Sequence, residues 1–436
     1  RYPSIEALIA RQRPLNNAQQ ARVEALIAPA GKAPWSWIDD RSMTALSSMV
    51  TKLKAGEVLR ADEAGMVQRW QAWLRPILAE LHQGEVALGS GASLARAYAN
   101  GRLGSMDQRD AWLRSRTGGD HAVGHVVASI LIHVASQASD PQEALADLDV
   151  WVASYSRASI TLFEALQAQA LCEIRDRFYQ ELAWRGRLPL VAQQRWLAEK
   201  SLSTALMSDA FLGETLLLII PQVEDLRAGR AEGGGFLAHL TNLAYAQELT
   251  WLPQHLETIQ EALAGRSAAR FQALVLQEKS GRAAQFWPTI TAETDLAALS
   301  ETRHRAHRLS VEILMRVRAG EPLPETLSAM TSSEASERGT NAWGLRYERQ
   351  SATRFALMVD PDGGLPACSA PEIAASLRSQ LQEARARPRT KPLINQRLLI
   401  EMEVPLPSSA VPIDLSDPVP TIVGDELPPP FPSVAQ

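Results

Sequence analysis

Residues 303–327 read RHRAHRLSVEILMRVRAGEPLPETL, and residues 343–364 read WGLRYERQSATRFALMVDPDGG. Across these two stretches the chain changes from a helical to an extended pattern. In the first stretch, Leu309, Ile313 and Val317 recur about one turn apart, which is typical of one face of a helix. No other part of the sequence changes its pattern as clearly as this region.

The helical pattern ends at Gly320. We predict a helix over residues 303–319, preceded by a separate helix that starts at Thr291. Beyond the glycine, Pro322 and Pro324 fix φ and remove two backbone donors, so an extended elbow follows the helix.

The second stretch carries the one convincing hairpin signal of the sequence. We predict strands at residues 343–349 and 354–359, joined by a short break at residues 350–353. The segment Asp360-Pro361-Asp362-Gly363-Gly364 has the composition of a turn. The sequence thus predicts a small antiparallel β element on the end of a long helix.

The order of these parts resembles the C-terminal signature of a group of uncharacterised bacterial envelope proteins. It is also similar to the end of the major pseudopilins of type II secretion. The matching residues are Gly320, Pro324, Leu327, Trp343, Gly344, Leu345, Tyr347, Phe355, Asp360, Asp362 and Gly363. The resemblance covers residues 303–364, and it implies a periplasmic location in the cell envelope and a membrane anchor upstream of residue 1.

The elbow between Gly320 and Pro324 differs in length from that signature, and the opening of the first strand differs in sequence. Asn341-Ala342-Trp343 stands where the strand usually opens with D-P-F or D-P-W, so the calcium loop of some pseudopilins is not expected here. A hairpin attached to any helix would give a similar pattern, and that alternative stays open.

Composition bounds the class of protein. The chain has 436 residues, of which 46% are hydrophobic and 21% are charged, enough for one large core or two ordinary ones. A net charge of -5 gives no general attraction for nucleic acid. Cys172 and Cys368 show neither a metal-site spacing nor a disulfide framework. No window reaches the roughly 18 apolar residues that span a bilayer, and the absence of an initial methionine leaves trimming from a longer precursor open.

Four segments follow from these patterns. They are N-terminal helices and linkers (residues 1–117), a central hydrophobic helical core (118–235), a second helical set with the stem helix, the β-hairpin (343–359) and a final helix (236–387), and an extended Pro-rich acidic tail (388–436). We predict a mainly α fold: a multi-helix bundle with a small antiparallel β-hairpin near the C-terminus. In the core, one continuous helical pattern runs from the capping box at residues 140–143 to about Trp184.

Several polar pairs are candidates for a site. His121 and His125 share a helix face, but a zinc or iron site needs at least a third ligand that the sequence does not name. Glu301 and His304 form a single E-x-x-H element, whereas a di-iron bundle needs two such elements and two further glutamates. We interpret Glu301 and His304 as solvated helix surface.

Two other pairs have simple structural interpretations. Glu173 and Asp176 lie beside arginines, and we interpret them as solvated ion pairs. We expect Trp35 and Trp37 to fill a gap between helices, with stacking on a solute as the alternative.

The tail differs in kind from the rest of the chain. Residues 388–436 hold eleven prolines in forty-nine residues and, from Leu398 onward, no Lys or Arg. Apolar and polar residues alternate here, because Glu401 and Glu403 stand between Ile400, Met402 and Val404. This period of two predicts an edge strand. We predict an arm that docks on its own body or on a partner, with plain disorder as the alternative.

The sequence contains no nucleophile elbow, phosphate loop, dinucleotide fingerprint or cysteine ligand pair. We therefore predict a non-enzymatic scaffold or accessory subunit that contacts a protein partner through residues 388–436. The resemblance to pseudopilins implies that it belongs to the cell envelope and is related to secretion or pili. No catalytic, cofactor-binding or metal-binding residue is assigned. The alternatives are a helical-bundle metalloenzyme built around His121 and His125, or a solute-binding helical domain that uses Trp35 and Trp37.

Overall fold

Helices make up most of the described chain, and a small sheet lies near its C-terminal end. The computed structural model describes residues 17–27, 49, 52–53, 59–84, 86, 88, 123–156, 162–199, 210, 287–327, 343–362, 371–386, 392–396 and 398–404. The helices are α1 (Asn17–Ile27), α2 (Ala61–Gln83), α3 (123–137), α4 (Gln142–Ser156), α5 (Leu162–Trp184), α6 (Leu190–Ala198), α7 (Trp287–Arg318) and α8 (Pro371–Ala386). The strands are β1 (Gly344–Arg349), β2 (Arg354–Asp360), β3 (Leu393–Gln396) and β4 (Leu399–Glu403). The predicted mainly α fold class is confirmed.

The bundle is built on α5, which packs against α4 and against α7. The Tyr179 hydroxyl of α5 donates to the carbonyl of Leu145, near the start of α4, at 3.2 Å, so α4 and α5 run antiparallel. Gln180 of α5 lies 2.6 Å from Ser310 of α7, and Glu173 lies 2.9 Å from Arg303, so α5 and α7 run parallel. These two contacts place polar residues of α5 and α7 face to face.

Aromatic and aliphatic side chains fill the space between these helices. Trp70, Trp151 and Trp196 are each at most 2% exposed, and the Trp151 indole donates to the carbonyl of Gly124 in α3 at 3.1 Å. Each fully buried Leu or Val side chain around them contributes about 1.5–3 kcal/mol to folding. The core therefore runs from α2 through α3, α4 and α5 to α7.

The helices α5 and α7 end in the same way and at the same level. Gly320 has a φ of +94°, its N–H donates to the Val317 carbonyl at 3.0 Å, and the Glu321 N–H donates to the Arg316 carbonyl at 3.0 Å. This pair of bonds is the Schellman ending that a glycine allows. Gly186, with a φ of +71°, ends α5 with the equivalent pair of bonds.

The sheet is fully antiparallel, with the strand order β1-β2-β4-β3. On one face, Phe355 and Met402 join the core of the helical bundle. On the other face, Ala356, Met358 and Leu399 pack against Leu381 and Ala384 of α8. The sheet is therefore a layer between the bundle and α8.

The hairpin prediction is confirmed, because β1 and β2 pair from Gly344–Asp360 to Arg349–Phe355. The expected edge strand in the tail is a strand, but it is not an edge. β4 lies between β2 and β3, since both of its sides find partners. Residues 393–396 and 398–404 of the predicted tail thus belong to the folded body.

Two helix predictions are wrong in length. The pattern expected to run unbroken over residues 142–184 forms two antiparallel helices, α4 and α5, although no Gly or Pro stands between them. Conversely, the helix from Thr291 and the helix over 303–319 are one helix, α7. Within the described residues, no helix is long and apolar enough to cross a bilayer.

Candidate functional site

A buried polar cluster lies where α5 meets α7 and α6. Asp176 of α5 is fully buried, and its Oδ1 accepts from the Arg175 guanidinium at 3.1 Å and from the Trp196 indole at 2.8 Å. Its Oδ2 contacts Nδ1 of His304 on α7. A buried carboxylate is tolerated only when such partners replace its water, so these contacts are a condition of the fold.

The electrostatics of Asp176 and His304 follow from this geometry. Burial alone raises the pKa of a carboxyl, but the charges of His304 and Arg175 and the hydrogen bond with His304 outweigh burial and lower the pKa of Asp176. Burial alone lowers the pKa of an imidazole, but the charge of Asp176 and its hydrogen bond raise the pKa of His304. Both shifts favour the charged forms, carboxylate and imidazolium, although Arg308 lies 3.3 Å from Nε2 of His304 and its charge opposes the shift of that pKa.

Arg175 connects this pair to α4 and to the end of α6. Its guanidinium lies 2.9 Å from Glu199 and 3.6 Å from Asp149, and Asp149 also pairs with Arg195. Burial raises the pKa of Asp149, although the two arginines lower it in part. One buried guanidinium thus holds carboxylates from α4, from α5 and from just beyond α6.

A second, neutral set of contacts lies further along α5. The amide of Gln180 donates to Ser310 of α7 at 2.6 Å, and its carbonyl oxygen accepts from Asn395 of β3 at 2.6 Å and from His307 Nδ1 at 2.9 Å. A carbonyl oxygen only accepts, so His307 carries a proton on Nδ1. Gln180 therefore joins α5, α7 and the sheet through one side chain.

His307 stays neutral in this position. It is fully buried, and burial together with the charge of Arg303 lowers its pKa well below the usual range. Its Nε2 and the Oδ1 of Asn395 are buried and have no hydrogen-bond partner within the part of the chain that the structure describes. An unprotonated imidazole nitrogen is able to accept a proton or bind a metal, but a fully buried one is out of reach of solvent.

Cys172 lies one turn before Asp176 on α5 and is the one cysteine among the described residues. Burial raises the pKa of its thiol to about 12. The charge of Arg175 opposes this shift, and the carboxylates of Asp176, Glu199 and Asp149 add to it. At neutral pH the side chain is a thiol and not the reactive thiolate.

The structure corrects the two surface interpretations. Asp176 is fully buried and Glu173 pairs with Arg303 at the interface between α5 and α7, so they are not solvated ion pairs. Glu301 is 9% exposed and the His304 side chain 13% exposed, so the E-x-x-H element is not solvated helix surface. The physical reason is that α7 is enclosed along this length, and its charged residues find partners on neighbouring helices.

The other candidates are only partly described. His125 lies in α3 and is partly exposed, whereas His121, Trp35, Trp37 and Cys368 lie outside the described residues. Within the described ranges, no group of three or more His, Cys, Asp or Glu residues is placed to hold a metal ion.

Sequence reasoning missed Gln180, Ser310 and Asn395. A partial signal was present on α5, because Asp176 and Gln180 are four residues apart and therefore lie on one helix face, together with the polar residues Gln169 and Glu173. No comparable signal marks Asn395, whose position depends on the pairing of β3 with β4.

The class of protein is not given by similarity. No protein-family model, no curated protein and no solved structure matches the chain.

Proposed function

We propose that this chain is a non-enzymatic scaffold or accessory subunit of a protein assembly on the periplasmic side of the bacterial cell envelope. The observation that carries the proposal is the buried polar cluster, in which Arg175, Asp176, Gln180, His304 and His307 contact one another or neighbouring elements. Their contacts join α5, α6, α7 and β3. Such an arrangement suits a rigid protein that binds other proteins through its surface.

The protonation states favour the same interpretation. Asp176 is held charged by cationic neighbours, His307 is held neutral and fully buried, and Cys172 is held as a thiol with a pKa of about 12. A general acid or base works best with a pKa near the working pH and within reach of substrate. The states of these three groups suit structural contacts better than turnover.

The envelope location and the relation to secretion or pili rest on the resemblance of residues 303–364 to pseudopilins. The described structure adds that the long helix α7 leads through a glycine ending into β1 and β2. We place the partner contact in residues 405–436, the part of the tail beyond β4. This segment carries four acidic residues, no Lys or Arg, and recurring apolar residues.

A capture experiment with an envelope extract tests the proposal. We expect the full chain to retain a protein partner and a variant ending at residue 404 to lose it, while both show the same helical circular dichroism. As the matched control, a synthetic peptide of residues 405–436 should displace the partner, and a peptide of the same composition in scrambled order should not. Equal capture by both chains would contradict a contact through the tail.

Elemental analysis tests the enzymatic alternative built on His121 and His125. Stoichiometric zinc or iron in the purified chain, lost in the His125→Ala variant, would overturn the scaffold proposal. Metal that is unaffected by this substitution would not support a site at these histidines.

A further inference from the structure

An exposed apolar patch lies at the end of the bundle where α5 and α7 terminate. Among the residues that the structure describes, Leu190, Val191 and Met315 are the large hydrophobic residues left exposed, at 60%, 60% and 37%. Gln193, one turn beyond Leu190 on α6, contacts the sulfur of Met315 on α7. The exposed residues of the two helices are thus neighbours, and we call them the end patch.

Two arginines border the end patch. Arg318 donates to the carbonyls of Ala183 and Trp184 at 2.6 Å and 2.5 Å. Its guanidinium lies about 4 Å from the point that a Cβ atom added to Gly186 would occupy. Arg187 donates to two carbonyls at the end of α3, the shorter distance being 2.6 Å. Within the described part of the chain, neither guanidinium has a carboxylate partner. Glu312 and Glu321, which lie close to Met315 and Arg318 along the chain, pair with Arg316 instead, so Arg187 and Arg318 leave positive charge beside the end patch.

The described chain ends beside this patch. The indole of Trp184, six residues before Leu190, donates to the carbonyl of Glu403 at 2.8 Å. The next residue, Val404, donates to the carbonyl of Thr353 at 2.8 Å and is the last that the structure describes. Residues 405–436 therefore start at the same end of the bundle.

We propose that residues 406–417 of this chain dock on the end patch of the same molecule. The segment supplies four apolar side chains, those of Leu406, Val411, Ile413 and Leu415. Asp414 and Asp417 supply carboxylates that can pair with Arg187 and Arg318. Twelve residues reach up to about 40 Å when extended, which is ample for a patch that begins next to Trp184. The prolines in this segment restrict the free chain and so lower the entropy lost on docking.

This inference goes beyond the proposed function and does not depend on it. Docking of residues 406–417 anchors the base of the tail and leaves residues 418–436 to reach a partner. The two proposals fail separately, because partner capture is measured with an extract and docking with the purified chain alone.

Hydrogen exchange on the full chain tests the docking. We expect the amides of residues 406–417 to exchange slowly, and to exchange about tenfold faster in the L190S/V191S variant, which removes much of the apolar contact. The matched control is Q382S/E383S, a pair of exposed positions on α8, and it should leave the exchange unchanged. Unprotected amides in the parent chain, or equal acceleration in both variants, would overturn the proposal.

Cross-linking then identifies which molecule supplies the docked segment. In a C368S background, V191C/V411C should form an intramolecular disulfide under mild oxidation, while S379C/V411C, with the first cysteine on α8, should not. The native Cys172 does not interfere, because the pKa of its thiol is about 12. A disulfide-linked dimer in place of the monomer, or equal yields from both pairs, would contradict docking within one molecule.

Discussion

Asp176 shows how a single residue links the helices of this bundle. It is fully buried and contacts Arg175 beside it, Trp196 on α6 and His304 on α7. Removing one partner of a buried ion pair leaves the other charge uncompensated, which costs far more than the intact pair contributes.

We expect Asp176→Ala to lower the free energy of unfolding by about 3–5 kcal/mol, because it leaves Arg175 and His304 buried without their shared carboxylate. Urea denaturation followed by circular dichroism measures the change. The control is Asp147→Ala, which removes the more exposed His82–Asp147 contact and should cost no more than about 1 kcal/mol. Similar losses for the two variants would contradict a special role for Asp176.

His304 gives the stability a pH dependence of defined sign. Its folded-state pKa is raised above the ordinary 6.5, so its stabilising contribution is complete below pH 6.5 and is lost as the pH rises through the raised value. The free-energy difference between the parent chain and His304→Gln should therefore shrink as the pH rises above neutrality.

His307 provides a control of opposite sign. Its pKa is lowered in the folded state, so its contribution is present above pH 6.5 and is lost as the pH falls. The difference between the parent chain and His307→Gln should shrink toward acid pH. Equal pH dependence for the two variants would refute the assigned protonation states.

At the scale of single residues, the sequence shows which groups are charged but not which are buried. Asp176 next to Arg175 fits a solvated surface pair as well as a buried one, because burial depends on α7, more than a hundred residues later in the chain. Gly320 is the opposite case. Its role follows from local chemistry alone, since a helix commonly ends at a glycine with positive φ.

Glycine substitutions test the helix endings at the scale of an element. We expect Gly320→Ala to destabilise the fold by about 1–2 kcal/mol, because an L side chain is strained at a φ of +94°. The control is Gly65→Ala inside α2, where nothing lies within 4 Å of the added carbon, and it should stabilise by about 0.5–1 kcal/mol. Thermal unfolding of both variants measures the two signs, and a neutral Gly320→Ala would contradict the Schellman ending.

Elements with strong local signals are predicted well from the sequence. The hairpin, with strands at 344–349 and 354–360, and α8 follow from alternation, turn residues and a proline at the first helical position. The break between α4 and α5 is missed because no Gly or Pro marks it, and packing of the two helices against each other decides it. The inner position of β4 is missed because pairing with β2 is a long-range contact.

At the scale of the whole molecule, the sheet ties the C-terminal strands to the bundle. Asn395 of β3 contacts Gln180, and the carbonyl of Glu403 in β4 accepts from Trp184. We expect a chain that ends at residue 387 to lose the sheet and to unfold with reduced cooperativity, because β2 then lacks its partner strand β4.

A chain that ends at residue 404 is the control for this truncation. It keeps β3 and β4, and we expect the same helical content and a similar unfolding midpoint to those of the full chain. Calorimetry measures the unfolding midpoint and the cooperativity of the two truncated chains. Equal values for the two chains would contradict the inner position of β4.

The most direct test of the central claim is a double-mutant cycle in urea with Asp176→Asn, His304→Gln and the combined variant. If the contact between Asp176 and His304 stabilises the packing of α5 against α7, we predict a coupling free energy of about 1–3 kcal/mol between the two positions. Single losses that simply add, to within about 0.3 kcal/mol, would show that the two groups do not act together and would contradict the structural role on which the proposed function depends.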